Sequence, residues 1–368
     1  MKLSLSSLYR CPNFPTILKS SAFSSPCRSL CFSSLSSPQT SLKPQIPLFL
    51  RPPKYSTTLH DLKKWHDWAK NLASSIGSTF EQSDNGPDSS LLCRELKWLL
   101  EDAVEDHTLF PQMGVQNDRR VTLRAQVDEL YNLWKQRIHE RRPFQYIVGC
   151  EHWRDLVLSV QEGVLIPRPE TEHIIDLVSD VVSKDDELKG GVWADLGTGS
   201  GALAIGISRI LGAEGRVIAT DLNPVAVAVA AYNVKRYGLK EIIEIREGSW
   251  FELVKDVEGK LSGLVSNPPY IPSKDIPGLQ AEVGRHEPRV ALDGGVDGMD
   301  ALLHLCDGAA LFLKPGGFFA FETNGEQQCR ALVDYMENYK STSLCNFEIV
   351  PDFAGIQRFV TGFRRQAI

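Results

Sequence analysis

The chain has 368 residues, 42% of them hydrophobic and 23% charged, which leaves room for two globular domains and a targeting segment. No apolar run approaches the roughly 20 residues that a membrane-spanning helix needs, so no membrane partner is expected. With 46 acidic against 40 basic side chains, the chain gains nothing from counterion release on a phosphate backbone, and no direct nucleic-acid contact is expected.

Residues 1–56 differ from the rest. No Asp or Glu precedes Asp61, serine recurs from Ser4 to Ser37, and Lys2, Arg10, Lys19, Arg28 and Arg51 are spaced along the segment. Such a composition predicts a disordered organelle transit peptide, and its Ser and Pro content favours a chloroplast over a mitochondrion. A disordered tail without an address is the alternative. Setting aside the seven Lys and Arg of residues 1–56 leaves 33 basic and 46 acidic side chains, a net charge of −13. Three of the eight cysteines (Cys11, Cys27, Cys31) fall in this segment, and the other five are scattered without a CxxC pair. No metal site and no redox pair is indicated.

Residues 57–140 carry helical periodicity. Leu62, Trp65, Leu72 and Ile76 fall on one face of a first helix, and Leu92, Leu96, Leu99 and Ala103 on one face of a second. Leu123, Val127, Leu130, Trp134 and Ile138 mark a third. Gln82–Ser90, with Asn85-Gly86-Pro87, predicts a loop. Trp65, Trp68, Trp98 and Trp134 are expected to fill the core of this small domain. Residues 141–169 are a connector and a hairpin, with strand-like runs at 152–153 and 157–160.

From residue 170 to 368, strands and helices alternate. Seven apolar runs (192–196, 217–220, 242–245, 264–266, 318–321, 347–350 and 359–360) predict strands, with helical patterns between them. That order implies a doubly wound, mostly parallel, Rossmann-like seven-stranded sheet, whose ligands bind beyond the carboxyl ends of the strands.

The first of these strands runs into Asp195-Leu196-Gly197-Thr198-Gly199-Ser200-Gly201, and the second ends in Asp221. Glycines let the backbone turn sharply and let a ligand approach, and helix-start amides would face it. Asp221 can accept the ribose hydroxyls of an adenosine, in NAD or in S-adenosylmethionine. Asp195 and the G-x-G-x-G spacing favour S-adenosylmethionine. Asp195, Gly197, Thr198, Gly199, Ser200, Gly201 and Asp221 are therefore the candidate cofactor-binding residues.

Asn267-Pro268-Pro269-Tyr270 follows the fourth strand. A stiff turn alone would explain it, but its position relative to the glycine loop suits chemistry on a conjugated nitrogen. The Asn267 side-chain oxygen and the Pro268 carbonyl can accept the two N–H bonds of an amide or amino group. Pro268 and Pro269 would hold these acceptors rigid. Tyr270 offers an aromatic face to a planar group. Asn267, Pro268 and Tyr270 are the candidate catalytic residues, and Pro269 joins them in substrate binding.

These residues resemble those of the release-factor glutamine methyltransferases, the HemK/PrmC family, from about Leu59 to the C-terminus. The resemblance rests on Arg142–Gly149, on Leu165-Ile166-Pro167-Arg168-Pro169-Glu170-Thr171-Glu172 and on Asn267–Pro272. It extends to Glu287-Pro288, Ala291–Gly295 with Asp297-Gly298, and Asp352, Ala354-Gly355 and Arg358. It implies a class I S-adenosylmethionine-dependent methyltransferase acting as a monomer on the Gly-Gly-Gln glutamine of organellar class I peptide release factors. It also implies that the helical domain docks the release factor, that Trp250 lies near the adenine and that Asn267 also contacts the cofactor. The sequence departs from the family at Asn324, where the family tends to have Gly, which puts the local loop geometry in question. Arg168 is open to a structural or a functional role.

Three other readings compete. An adenine or guanine amino-methyltransferase acting on RNA or DNA needs the same Asn-Pro-Pro-Tyr logic, but the charge argues against it. A non-catalytic binding factor would have no need to keep Asn267 and the glycines. An NAD-dependent oxidoreductase has no use for the Asn-Pro-Pro-Tyr loop.

Overall fold

The computed structural model describes residues 43–106 and 119–366. The first 42 residues of the expected leader lie outside them. Residues 43–56 belong to the folded unit, which corrects the expectation of disorder up to residue 56. Leu48 is fully buried in the helical core. Gln45 donates its backbone N–H to Gln161 Oε1 at 2.6 Å and accepts from the Ser159 hydroxyl at 2.6 Å. Arg51 pairs with Glu129 at 2.7 Å.

Strand β1 (Tyr55–Thr58) leads into α1 (Leu59–Ile76). Thr58 caps α1: its hydroxyl oxygen accepts from the Asp61 N–H at 3.1 Å, and its O–H donates to the Asp61 carboxylate at 2.8 Å. A short α2 (Thr79–Asp84) occupies the start of the expected loop and stops at Asn85, whose left-handed φ of 58° ends the helix. Asp88 then caps α3 (Ser89–Ala103). Strand β2 (Arg120–Leu123) pairs antiparallel with β1, and α4 (Val127–Lys135) runs on into a π-helical turn at Gln136–Glu140.

Leu123 was expected on the helix and lies on β2. Val121 and Leu123 alternate inward with period two, so the four-residue step from Leu123 to Val127 matches a helix only in number. Of the four tryptophans, Trp65 and Trp134 are fully buried. Trp134 Nε1 donates to the Ala69 carbonyl at 2.9 Å. Trp68 and Trp98 are half-buried, against Tyr131 and Phe144.

The connector forms α5 (Phe144–Val148), whose Ile147 and Val148 pack into the helical core. The hairpin β3 (Cys150–Trp153) and β4 (Leu156–Ser159) follows as expected. The catalytic unit then alternates α6 (Glu172–Val182), α7 (Asp186–Lys189), β5 (Val192–Leu196), α8 (Ala202–Leu211), β6 (Arg216–Asp221), α9 (Pro224–Arg236), β7 (Ile243–Glu247) and β8 (Leu261–Ser266). After β8 come α10 (Ala281–His286), α11 (Asp300–Phe312), β9 (Leu313–Glu322), α12 (Glu326–Tyr339), β10 (Leu344–Pro351) and β11 (Gln357–Arg364).

The seven strands lie in the order β10-β11-β9-β8-β5-β6-β7. The five from β9 to β7 are parallel, and β11 pairs antiparallel with both β9 and β10. Alternation along the strands divides the core. Trp193, Val265, Phe318 and Ala320 face α6 and α8. Ala194, Leu264, Phe319 and Phe321 face α11 and α12. Each of the larger side chains among them contributes about 1.5–3 kcal/mol by leaving water. Gly263 is required on β8, because a Cβ there would sit 2.1 Å from the Trp193 ring.

The two units meet through buried charges. Glu282 on α10 accepts from Arg137 Nη1 at 2.9 Å and from Arg141 Nε at 2.6 Å. Arg137 also binds Glu95 through two hydrogen bonds, of 2.7 and 3.0 Å. Asp84 accepts from Arg141 at 3.0 Å and from the Ala281 N–H at 2.9 Å. No helix among the described residues is long and apolar enough to cross a membrane.

Candidate active site

The order of chain connection reverses between β5 and β8, so a crevice opens at their carboxyl ends. The predicted residues converge there. The Asp195–Gly201 loop follows β5, Asp221 ends β6, Asn267–Tyr270 follows β8, and Trp250 opens the segment after β7.

Gly197, Gly199 and Gly201 all have left-handed φ, at 80°, 57° and 84°, which is why the loop needs glycine at those positions. Four amides of the loop ahead of α8 are engaged within the protein. The Gly197 and Thr198 N–H groups both donate to the Thr220 carbonyl at 2.9 Å, and the Gly201 N–H donates to the Thr198 carbonyl at 2.9 Å. The Gly199 N–H donates to Asp221 Oδ2 at 2.8 Å. Thr198 and Ser200 are buried. Thr198 donates its hydroxyl to Asp195 Oδ2 at 2.6 Å, and the Ser200 carbonyl accepts from Asn233. Open space lies above Gly199, and the Trp250 ring stands about 3.9 Å from where a Gly197 Cβ would be.

Two carboxylates line this loop. Asp195 is fully buried, accepts a second hydrogen bond from the Ala204 N–H at 3.1 Å and keeps Oδ1 without a partner. Burial first, and then the charge of Asp221, push its carboxyl up to about 7. Asp221 accepts from Gly199 and Asn223, and burial raises it as well. A dinucleotide pyrophosphate needs free amides at the loop. Here four amides are engaged and two acids wait, so the donor set fits a cationic ligand carrying an adenosine. Asp221 would take the ribose, and Trp250 would stand near the adenine.

Asn267 donates its side-chain N–H to the Thr171 hydroxyl oxygen at 3.0 Å. Thr171 donates in turn to Glu322 Oε2 at 2.7 Å, and Tyr270 donates its O–H to Glu322 Oε1 at 3.0 Å. Because the Thr171 proton goes to the carboxylate, its oxygen must accept from Asn267, which fixes the amide with Oδ1 on the other side. Burial pushes Glu322 up to about 7. Gln328 Nε2 braces the loop, donating to the Tyr270 carbonyl at 2.8 Å and the Gly298 carbonyl at 3.1 Å.

Thr171, Glu322 and Gln328 carried no predicted role. Thr171 did lie within the Leu165–Glu172 motif that the sequence singled out, and Glu322 stands just past the predicted strand 318–321. Arg168 binds Glu287 at 2.6 Å, while its carbonyl accepts from Trp153 Nε1 at 2.8 Å, so it ties its motif to the downstream block. Asn324 is exposed, outside the left-handed region, and its N–H donates to Gln328 Oε1 at 2.8 Å. The backbone there accepts a side chain without strain.

A sheet of this topology, with a spent-amide glycine loop at its switch point and an acceptor clamp one strand away, defines a class I S-adenosylmethionine-dependent methyltransferase. Residues 169–267 match the family described as ribosomal protein L11 methyltransferase (PrmA). A release factor glutamine methyltransferase from Thermosynechococcus vestitus is 35% identical over 81% of this chain and 97% of its own length. Those of Synechocystis sp. and Gloeobacter violaceus are 37% and 40% identical over 73% and 71% of this chain, and over 88% of their own lengths. This chain belongs to the release factor glutamine methyltransferase family.

Proposed function

We propose that the enzyme methylates the side-chain amide nitrogen of the glutamine in the Gly-Gly-Gln motif of class I peptide release factors in a plastid. The helical unit would dock that factor, and the enzyme would act as a monomer. One observation supports the site assignment above others: the Asn267 amide has its nitrogen committed to Thr171 and its oxygen free at the rim of the glycine-loop crevice.

Bound S-adenosylmethionine supplies an electrophilic methyl on a sulfonium. An amide nitrogen is a poor nucleophile because its lone pair is delocalised into the carbonyl. Asn267 Oδ1 and the Pro268 carbonyl would accept its two N–H bonds and stabilise the positive charge that grows as the nitrogen forms its bond to the methyl carbon. The carbon–sulfur bond would break with its electron pair staying on sulfur, and the methylated nitrogen, now acidic, would release one N–H proton to water without a dedicated base. Each such charge-assisted bond contributes about 1.5–3 kcal/mol. The two prolines hold the acceptors in place beforehand, so no reorganisation is needed. Tyr270, with its hydroxyl tied to Glu322, would lay its ring against the planar amide.

The test is mass spectrometry of a recombinant plastid release factor incubated with the enzyme and S-adenosylmethionine. Fourteen mass units, roughly one methyl group, should appear on the Gly-Gly-Gln peptide. Asn267→Ala should lose about 2–3 kcal/mol of transition-state stabilisation with donor binding largely retained through the glycine loop and Asp221. Methyl found on RNA, or wild-type turnover in Asn267→Ala, would overturn the assignment. The plastid address rests on the composition of the leader. Because Gln45 and Leu48 belong to the fold, the mature N-terminus should precede Gln45, which N-terminal sequencing of the imported protein would read.

A further inference from the structure

We propose that Glu322 is the common positioning residue of the substrate clamp, holding Tyr270 directly and Asn267 through Thr171. The inference rests on the assignment of Asn267 as acceptor for the substrate nitrogen. Its basis is the direction of the hydrogen-bond chain. An ionised carboxylate has no proton to give, so it draws the Thr171 and Tyr270 protons toward itself, at 2.7 and 3.0 Å. Thr171 can then only accept from Asn267, and Asn267 can only present its oxygen outward. A protonated or amide side chain at 322 would donate to one of the two hydroxyls. The Thr171 proton would be free to turn toward Asn267, and the Asn267 amide could rotate its nitrogen into the clamp. A donor there repels the substrate N–H that it should bind.

The surroundings fit a carboxylate kept for this purpose. Glu322 is fully buried at the end of β9. It is faced by Glu170 and Thr171 at the entry to α6, by Tyr270 from the loop after β8, and by Arg358 on β11. Arg358, the cation among them, is itself engaged by Asp352 at 2.9 Å. The two hydrogen bonds to the carboxylate therefore come from neutral hydroxyls, and both lead to clamp residues. A carboxylate serving stability alone would be expected to take a cationic partner, as Glu282 does.

The test compares Thr171→Val, Thr171→Ser, Glu322→Gln and Asn267→Ala in full-length enzyme with release factor as substrate. Thr171→Val and Glu322→Gln should each lower kcat about tenfold or more, the loss of roughly one well-placed hydrogen bond, while the dissociation constant for S-adenosylmethionine holds within about twofold. Thr171→Ser, which keeps the hydroxyl, should retain most of the wild-type kcat. The double variant Thr171→Val with Glu322→Gln should be no worse than the weaker single, since both break one chain. Wild-type kcat should climb as pH rises through about 7, and that inflection should vanish in Glu322→Gln.

Wild-type kcat in Thr171→Val alongside an inactive Asn267→Ala would overturn the role of Glu322 and leave the acceptor assignment standing. An active Asn267→Ala would overturn the assignment itself. Loss of donor binding in Thr171→Val would show a structural role instead and would also refute the proposal.

Discussion

Two buried carboxylates, Glu282 and Glu322, are treated in opposite ways. Glu282 is shared by two guanidinium groups. Burial alone would raise its carboxyl, but hydrogen bonds from Arg141 and the charge of Arg137 outweigh that and hold it below the ordinary range. Glu322 meets only hydroxyls in its hydrogen bonds, and burial pushes it up to about 7. The first arrangement spends its charge on joining two domains. The second leaves the charge unneutralised, where it can polarise neighbours. Ion pairing marks the junction of the two units at Glu282, and solvation by hydroxyls marks the acid behind the clamp at Glu322.

Breaking the scaffold pole should have the largest effect. Glu282→Ala strands part of two buried guanidinium groups and should cost about 3 kcal/mol in urea unfolding, with the helical unit loosened first. Asp221→Ala should act on the other pole, raising the dissociation constant for S-adenosylmethionine roughly tenfold or more by calorimetry, through the loss of two charge-assisted bonds to ribose. A chain begun at residue 57 would lose Leu48 and the Arg51–Glu129 pair. It should melt several degrees lower, because burying one leucine contributes about 1.5–3 kcal/mol.

A further expected effect is a pH slope. Asp195 and Glu322 both sit near 7, above their ordinary values of 3.8 and 4.5. The folded state then holds protons that the unfolded chain releases. Their contribution is full below the ordinary carboxylate range and is lost as pH rises toward about 7. The melting temperature should fall across that window, and Glu322→Gln should flatten part of the fall.

The sequence disclosed the parts of the molecule that repeat or punctuate. Helices α6, α8, α9, α11 and α12, and the glycines between β5 and α8, follow from period and backbone freedom. Strand β1 was not legible because it carries no inward alternation, and β2 because Leu123 continues the spacing of the helix that follows it. The clamp supports were hidden for a different reason. Thr171 lies 96 residues from Asn267 and 151 from Glu322, and no local pattern records a contact at such separation. The glycine loop was found, but its direction was not. Whether an amide faces a ligand or the next strand depends on Thr220, whose carbonyl takes two of them.

That last feature also governs which metabolites can interfere. Cells hold nucleoside phosphates in large excess over the methyl donor, and many share its adenosine. With Gly197, Thr198 and Gly199 tied to Thr220 and Asp221, the loop has no welcome for a phosphate and two acids to repel it. A ligand with a phosphate next to its adenosine would meet engaged amides and carboxylates there, whereas a sulfonium would meet the carboxylates alone.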